Sequence, residues 1–478
     1  MSEQHTICLL NDSFPPVIDG VANAVVNYAK NIEASHGHAV VVTPSVPDAK
    51  DEGYDFPVLR YPSIDTRKLV GYVTGYPFSL ETVRRLEDEH AALLHAHCPA
   101  ASTILARELR DVLNAPLVMT YHTKFDIDIA KAIRGKLMQA GTIRALVQNV
   151  SACDEVWVVS EGAGENLRSL GYEGDYIVMA NGVDVPRGGV DEATVAAATA
   201  EYDLPRDVPM FLFVGRLMWY KGLRIILDAL AALREKGVDF RMVFVGDGGD
   251  GQEVRACASE LGLDGVCFFT GSISDRETIR AWYTRADLFL FPSTFDTNGL
   301  VVREAAASGT ATVMVAGSCA AEGVTDDQNG FFIEENAASL AEKLTALCGE
   351  PERMKRVGEC AERELYLSWS DAVAHACERY EIVIDNYRSG KYPKHKKPMD
   401  GYLKSQGELM ETLAMIESAS DEMWEEMLAD RDELTAKLHE SQEEVREYFR
   451  ERQRKRRESQ EKVTERIEEL WKKMDRYM

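Results

Sequence analysis

Up to about residue 388 the chain alternates short apolar runs with stretches of helical spacing. Thr6 to Leu10, His38 to Thr43, Leu93 to His97, Leu117 to Tyr121, Glu155 to Ser160 and Tyr176 to Met179 read as buried strands. A polar, alanine-rich segment from Pro186 to Val208 interrupts the pattern. A second series follows: Phe211 to Val214, Arg241 to Val245, Val266 to Thr270, Leu288 to Pro292, Ala311 to Val315 and Gly330 to Ile333. Strands separated by helices pair in parallel through crossovers, so the predicted class is α/β with two Rossmann-like domains, over 1–190 and 208–370.

The pattern changes after Arg388. Ser389-Gly-Lys-Tyr-Pro-Lys-His-Lys-Lys-Pro398 lacks apolar periodicity and predicts a linker over 389–401. From Glu408 to Met478 there is neither Gly nor Pro, and Leu409, Leu413, Ile416, Met423, Met427, Leu434, Leu438, Val445 and Phe449 recur at helical spacing. Residues 402–478 are therefore expected to form a helical extension, either one long amphipathic helix or a hairpin. Thirteen acids face two bases from Glu408 to Glu444, then seven bases face two acids from Arg446 to Arg457. Such segregation suits first a solvated helix folding back on itself or pairing in a coiled coil, with a partner or membrane-surface role as the alternative.

With 478 residues and 45% hydrophobic content, the chain is long enough for two substantial cores. A net charge of −25 argues against a general nucleic-acid binder, because phosphate backbones require clustered Lys and Arg. Nine cysteines without a Cys-x-x-Cys pair point to buried thiols in a reducing compartment. No basic leader precedes an apolar run and no stretch approaches the ~18 apolar residues of a membrane span, so a cytoplasmic location is expected.

Candidate chemistry lies just beyond two of the second-series strands. In Phe291-Pro-Ser-Thr-Phe-Asp-Thr-Asn-Gly-Leu-Val-Val-Arg-Glu304 a strand ends, Asp296 precedes a helix predicted to start near Asn298 or Gly299, and Glu304 lies one to two turns inside it. The free N–H groups of such a helix start suit an anion, and the two carboxylates suit hydroxyls; a capping Asp296 and a solvated Glu304 are the plain alternative. Gly215-Arg216-Leu-Met-Trp-Tyr-Lys221-Gly222 similarly places two cations beyond a strand's carboxyl end, where open α/β sheets bind ligands. A diphosphate fits that charge.

Together these motifs resemble retaining glycosyltransferases of the GT-B fold, family 4. The resemblance spans roughly residues 5 to 388, in order: Phe14-Pro-Pro-Val-Ile-Asp-Gly20-Val21, Leu94-His-Ala-His97, Tyr121-His122-Thr123, Ser160-Glu-Gly, Asn181-Gly-Val-Asp184, Gly215 to Gly222, Gly246-Asp-Gly248, Phe269-Thr-Gly271, Ala286-Asp287 and the paired acids. It implies an interdomain catalytic cleft and a crossover helix over 371–388 that packs on the first domain. It implies that Arg216 and Lys221 neutralise the leaving diphosphate, that Glu304 binds the donor ribose and Asp296 the transferred sugar, and that His122 contacts that sugar near the reacting carbon. Thr297, Asn298, Gly299 and Leu300 would contact sugar and phosphate, Gly20 would admit backbone close to the diphosphate, and Gly271 and Ile273 would flank the base. Asp296 stands where the commonest pattern has Glu, and Tyr220 where Glu often precedes the lysine, which leaves the donor hexose open.

No residue set has metal-ligand spacing; Asp126-Ile-Asp128 sits in the wrong domain for a metal-binding Asp-x-Asp, so transfer without a metal or other cofactor is expected. From Ile129 to Val150, Lys131, Arg134, Lys136 and Arg144 accompany an apolar stripe with no acid. That stretch is either a rest for an anionic membrane beside a lipid acceptor or an ordinary domain-surface helix. Because Thr120-Tyr-His-Thr and Phe295-Asp-Thr-Asn-Gly-Leu look similar to diacylglycerol glucosyltransferases, the expected reaction moves a hexose from UDP-glucose to a diacylglycerol-like lipid on the inner face of the cell membrane. A GDP-mannose-type or soluble-acceptor transferase, and a non-catalytic scaffold using the C-terminal helix, are the rivals.

Overall fold

The computed structural model describes residues 5–17, 19–47, 49–65, 73–77, 80–126, 129 and 136–392. The predicted extension over 402–478 and most of the linker lie outside those residues.

The first domain is built on β1 (His5–Leu10), β2 (Gly37–Pro44), β3 (Val58–Tyr61), β6 (Leu93–Ala96), β7 (Leu117–Tyr121), β8 (Glu155–Val158) and β9 (Ile177–Val178), with a two-residue antiparallel ladder, β4 (Ser63–Ile64) and β5 (Thr74–Gly75), at its side. The seven-stranded sheet has the order β3-β2-β1-β6-β7-β8-β9 and every pair is parallel. Central β1 has Leu9 opposite Val41 on one side and opposite His95 on the other. Strand β3 is missing from the predicted pattern, since Val58-Leu-Arg-Tyr61 is only four residues long and carries an arginine. That Arg60 is not solvated: it pairs with Asp51 at 2.7 Å and donates to the carbonyls of Pro44 and Pro15.

The second domain contains β10 (Met210–Val214), β11 (Arg241–Val245), β12 (Cys267–Gly271), β13 (Leu288–Phe291), β14 (Ala311–Val315) and β15 (Phe331–Ile333) in the order β12-β11-β10-β13-β14-β15. Order reverses between β10 and β13, which leaves a crevice at their carboxyl ends. The strands that flank it are the two after which the cationic and acidic motifs fall. Between the sheets, the alanine-rich segment is not all loop: Glu192–Thr199 is helical, with Asp191 capping it by accepting from the Thr194 N–H at 2.8 Å.

After the second domain the helix Trp369–Arg388 returns to the first. Ser368 caps it, worth about 1 kcal/mol. Its Trp369, Ala372, Val373, Ala376, Tyr380, Val383 and Ile384 follow helical spacing and share one core with Ile7, Leu9, Val41 and Trp157. Tyr380 stacks on Trp157 with centroids 5.3 Å apart. The chain thus crosses between the domains twice, and the Val183 N–H donates to Leu367 O at 2.9 Å where the crossings meet.

Candidate active site

The turn after β10 is shaped by two close approaches. Gly222 has φ +77, and a Cβ there would stand 2.4 Å from the Pro292 carbonyl oxygen, so only glycine lets this turn lie against the end of β13. The Leu217 N–H donates to Asp247 O and the Trp219 N–H to Asp250, so the Gly246-Asp-Gly248 segment holds the turn from the other side. As a result Lys221 bonds Asp296, a residue 75 positions away, through its Oδ1, while Ser293 Oγ donates to Oδ2 at 2.6 Å. Both side chains are largely withdrawn from water, 12% exposed for Lys221 and 23% for Asp296, which strengthens the pair relative to a surface one. Arg216 is exposed and, among the described residues, has no ion-pair partner. Its guanidinium is therefore not engaged by a carboxylate among the described residues.

Helix Leu300–Ala307 starts one residue past Gly299, whose left-handed φ of +56 brings the backbone so close to Ala320 that a Cβ would stand 2.9 Å from its Cα. No side chain caps this helix start. The capping role open to Asp296 is therefore not taken, and the N–H groups remain unclaimed by side chains. Glu304, one turn inside, accepts from Tyr283 OH at 3.1 Å. Burial raises its pKa, opposed by the Tyr283 bond and by Arg276, and reinforced by Asp184. Gly271 ends β12 with φ +75 and open space where a Cβ would lie, and Ile273 packs half-buried on the second core.

The first domain meets this loop directly. Thr297 Oγ1 donates to the His122 carbonyl oxygen at 2.9 Å, and Ser160 Oγ donates to Thr297 O. Glu322 reaches from the second domain to accept from the N–H groups of Glu161 and Gly162 at 2.7 and 2.6 Å, at the start of helix Glu161–Ser169. Asp184 accepts from Asn23 at 3.0 Å and pairs with Arg276 at 3.3 Å. His122 is 5% exposed; its Nε2 lies 2.9 Å from His97 Nδ1, and burial pushes its pKa down to about 3, so the ring is neutral. Gly20 is exposed with open space around it, but Asp19 already accepts from the Val21 and Ala22 N–H groups at 2.8 and 2.7 Å.

The structure therefore brings Lys221, Asp296, Thr297 and His122 into one chain of contacts, with Glu304 one helical turn away. Ser160, Asp184, His97 and Ser293 lie inside motifs legible in the sequence, which gave them no role, while Tyr283, Arg276 and Glu322 lie outside those motifs. Apart from Ser293, which bonds Asp296 three positions on, they join the site through residues distant in the chain, which local sequence does not reveal. Of the basic stretch, Lys131 and Arg134 lie outside the described residues, while Lys136 and Arg144 are exposed on helix Lys136–Ser151. The apolar side of that helix, through Ile143, Leu146 and Val147, borders a shallow recess with Phe125, Ile129 and Leu170.

Two parallel α/β domains, joined by a double crossover and facing each other across loops at strand carboxyl ends, define a GT-B glycosyltransferase. Residues 18–187 match the family model described as Glycosyltransferase Family 4, and residues 196–364 match Glycosyl transferases group 1. The chain belongs to this glycosyltransferase family. It is 23% identical over 315 residues to an alpha-monoglucosyldiacylglycerol synthase of Streptococcus pneumoniae, covering 64% of this chain and 70% of that one. It is 28% identical over 347 residues to a D-inositol 3-phosphate glycosyltransferase of Thermomonospora curvata, covering 68% and 79%. The Anabaena HepE crystal structure with UDP and glucose superposes with a TM-score of 0.61 at 18% identity, covering 79% of this chain and all of that one.

Proposed function

We propose that this glycosyltransferase moves a hexose, with retention at the anomeric carbon and without a metal, from UDP-glucose to a lipid acceptor of the diacylglycerol type. One observation carries the donor side: a largely buried Lys221 held by Asp296 in the same turn as Arg216, which is exposed and has no ion-pair partner among the described residues, at the switch point of the second sheet. As the bond from the sugar carbon to the phosphate oxygen breaks, charge grows on the diphosphate, and preorganised cations stabilise that charge most when water is excluded. Asp296, tethered by Ser293, holds the ammonium ready and offers its carboxylate to sugar hydroxyls. The Leu300 and Val301 N–H groups, at a helix start that no side chain caps, and the carboxylate of Glu304 suit phosphate oxygens and the ribose diol. The acceptor oxygen bonds the sugar carbon from the face the phosphate leaves, and the acceptor's proton passes to the departing phosphate oxygen.

A lipid acceptor is supported by the relative named for monoglucosyldiacylglycerol and by the apolar recess beside Lys136 and Arg144. Relatives named for D-inositol 3-phosphate favour a second reading, a soluble phosphorylated acceptor. Incubating the full chain with UDP- and GDP-hexoses, and with diacylglycerol vesicles or inositol phosphate as acceptor, separates the two by product mass. Hexosyl-diacylglycerol formed from UDP-glucose supports the reading; hexosyl-inositol phosphate alone overturns its lipid half, and no product with any donor overturns it whole.

A further inference from the structure

Three histidines from two neighbouring strands are stacked behind the cleft. His95 is fully enclosed and satisfied at both ring nitrogens: Nδ1 lies 2.6 Å from Tyr380 OH, on the returning helix, and Nε2 lies 2.7 Å from Thr120 Oγ1. Its ring lies tilted against that of His97 with centroids 4.0 Å apart, and the edge of Tyr28 closes on both. His97, 1% exposed, spends its Nδ1 on His122 Nε2 at 2.9 Å, and its Nε2 has no hydrogen-bond partner. On the far side of the His122 ring, the Asn181 side-chain nitrogen Nδ2 stands 3.5 Å from Nδ1.

Burial keeps all three rings neutral, so each carries a single proton. Between His97 and His122 one ring must donate and the other accept. A proton on His97 Nε2 would bury a donor with nothing to receive it, whereas a proton on Nδ1 leaves only a lone pair unmatched; buried orphan donors are the rarer case. His97 therefore donates to His122 Nε2, and the His122 proton lies on Nδ1, where the Asn181 amide accepts it through its oxygen when that amide is turned.

Resting on the glycosyl-transfer reading, we propose that His97 is a positioning residue: its Nδ1–H grips His122 Nε2, fixing the tautomer and tilt of the ring and, with them, the backbone carbonyl that Thr297 meets. At 1% exposure, His97 would act through His122 and not on donor or acceptor. The grip is anchored in turn through His95 and Tyr380 to the returning helix, so the last described helix of the chain holds the first domain's side of the cleft in register.

Two substitutions separate positioning from packing. Asparagine places its amide N–H near the position of Nδ1; glutamine fills more of the imidazole's volume but reaches toward Nε2. We expect His97→Asn to keep kcat within about threefold of wild type and His97→Gln to lower it about twentyfold, with the donor KM within about threefold in both, as for loss of one oriented hydrogen bond. Added to His122→Ala, the glutamine change should lower kcat no further. A glutamine variant as active as the asparagine one, or a loss carried by KM and melting temperature alone, overturns the proposal. Long-range proton–nitrogen spectra of histidine-labelled wild-type enzyme supply a readout that needs no turnover: His122 protonated on Nδ1 agrees, and protonated on Nε2 overturns it. Absence of any transfer by the wild type would strike the transferase reading, while the spectra still decide this one.

Discussion

The two walls of the cleft are built on opposite principles. The first-domain wall is buried, neutral and fully packed: His95, His97, His122 and Asn181 are each at most 6% exposed, and burial holds the three rings uncharged. The second-domain wall carries the cations Arg216 and Lys221 with the carboxyl groups of Asp296 and Glu304, and is partly open to solvent. A neutral wall fixes geometry without competing for the ligand's charge. The charged wall is the one proposed to stabilise the leaving diphosphate, and the loop contacts of Thr297 and Glu322 hold the two together.

The largest expected effect lies on the charged wall. Lys221→Ala should lower hexose transfer on the order of a hundredfold, about 3 kcal/mol of transition-state stabilisation, with the melting temperature little changed. Glu304→Ala should do likewise through donor binding, and wild-type rates in either variant would refute the role assigned to that residue. The neutral wall should respond to acid instead. His122 binds a proton readily only when the chain is unfolded, so the unfolded state takes up more protons in the window from 6.5 down to about 3, and stability falls as pH falls. From pH 7 to 5 that residue alone should remove about 2 kcal/mol in urea melts; a flat profile would contradict a buried neutral ring.

Smaller effects sharpen the contrast. Gly222→Ala forces a left-handed residue against Pro292 and should destabilise the second domain by about 1–2 kcal/mol while weakening donor binding, read by melting with and without UDP. Reversing Lys136 and Arg144 to glutamate should weaken flotation with anionic vesicles by about fivefold per charge removed, leaving hydrolysis of the donor untouched. Equal flotation would detach that helix from the membrane.

The strands and their order of appearance were legible because a strand buried on both faces reads as a continuous apolar run, as in Met210–Val214 and Ala311–Val315. Short β3 escaped because its arginine breaks the run and is satisfied only by Asp51 and two distant carbonyls. The helix start at Gly299 followed from a glycine after a strand and before an apolar-periodic stretch. The Lys221–Asp296 bond did not, since it depends on a turn pressed against Pro292 by the absence of one Cβ. Likewise Leu94-His-Ala-His97 was visible as a motif, but its second histidine gains a meaning only when β7 lies beside β6 and brings His122 within 2.9 Å. Local chemistry is written in neighbouring residues; the grip of one wall on another is not.

Titration of the full chain with UDP and with UMP tests the central claim most directly. Recognition of the diphosphate by Arg216 and Lys221 predicts that UDP binds at least about tenfold more tightly than UMP, as one added charge-assisted contact would give, and that the advantage vanishes when both residues are alanine. Equal affinity for UDP and UMP in the wild type would contradict it.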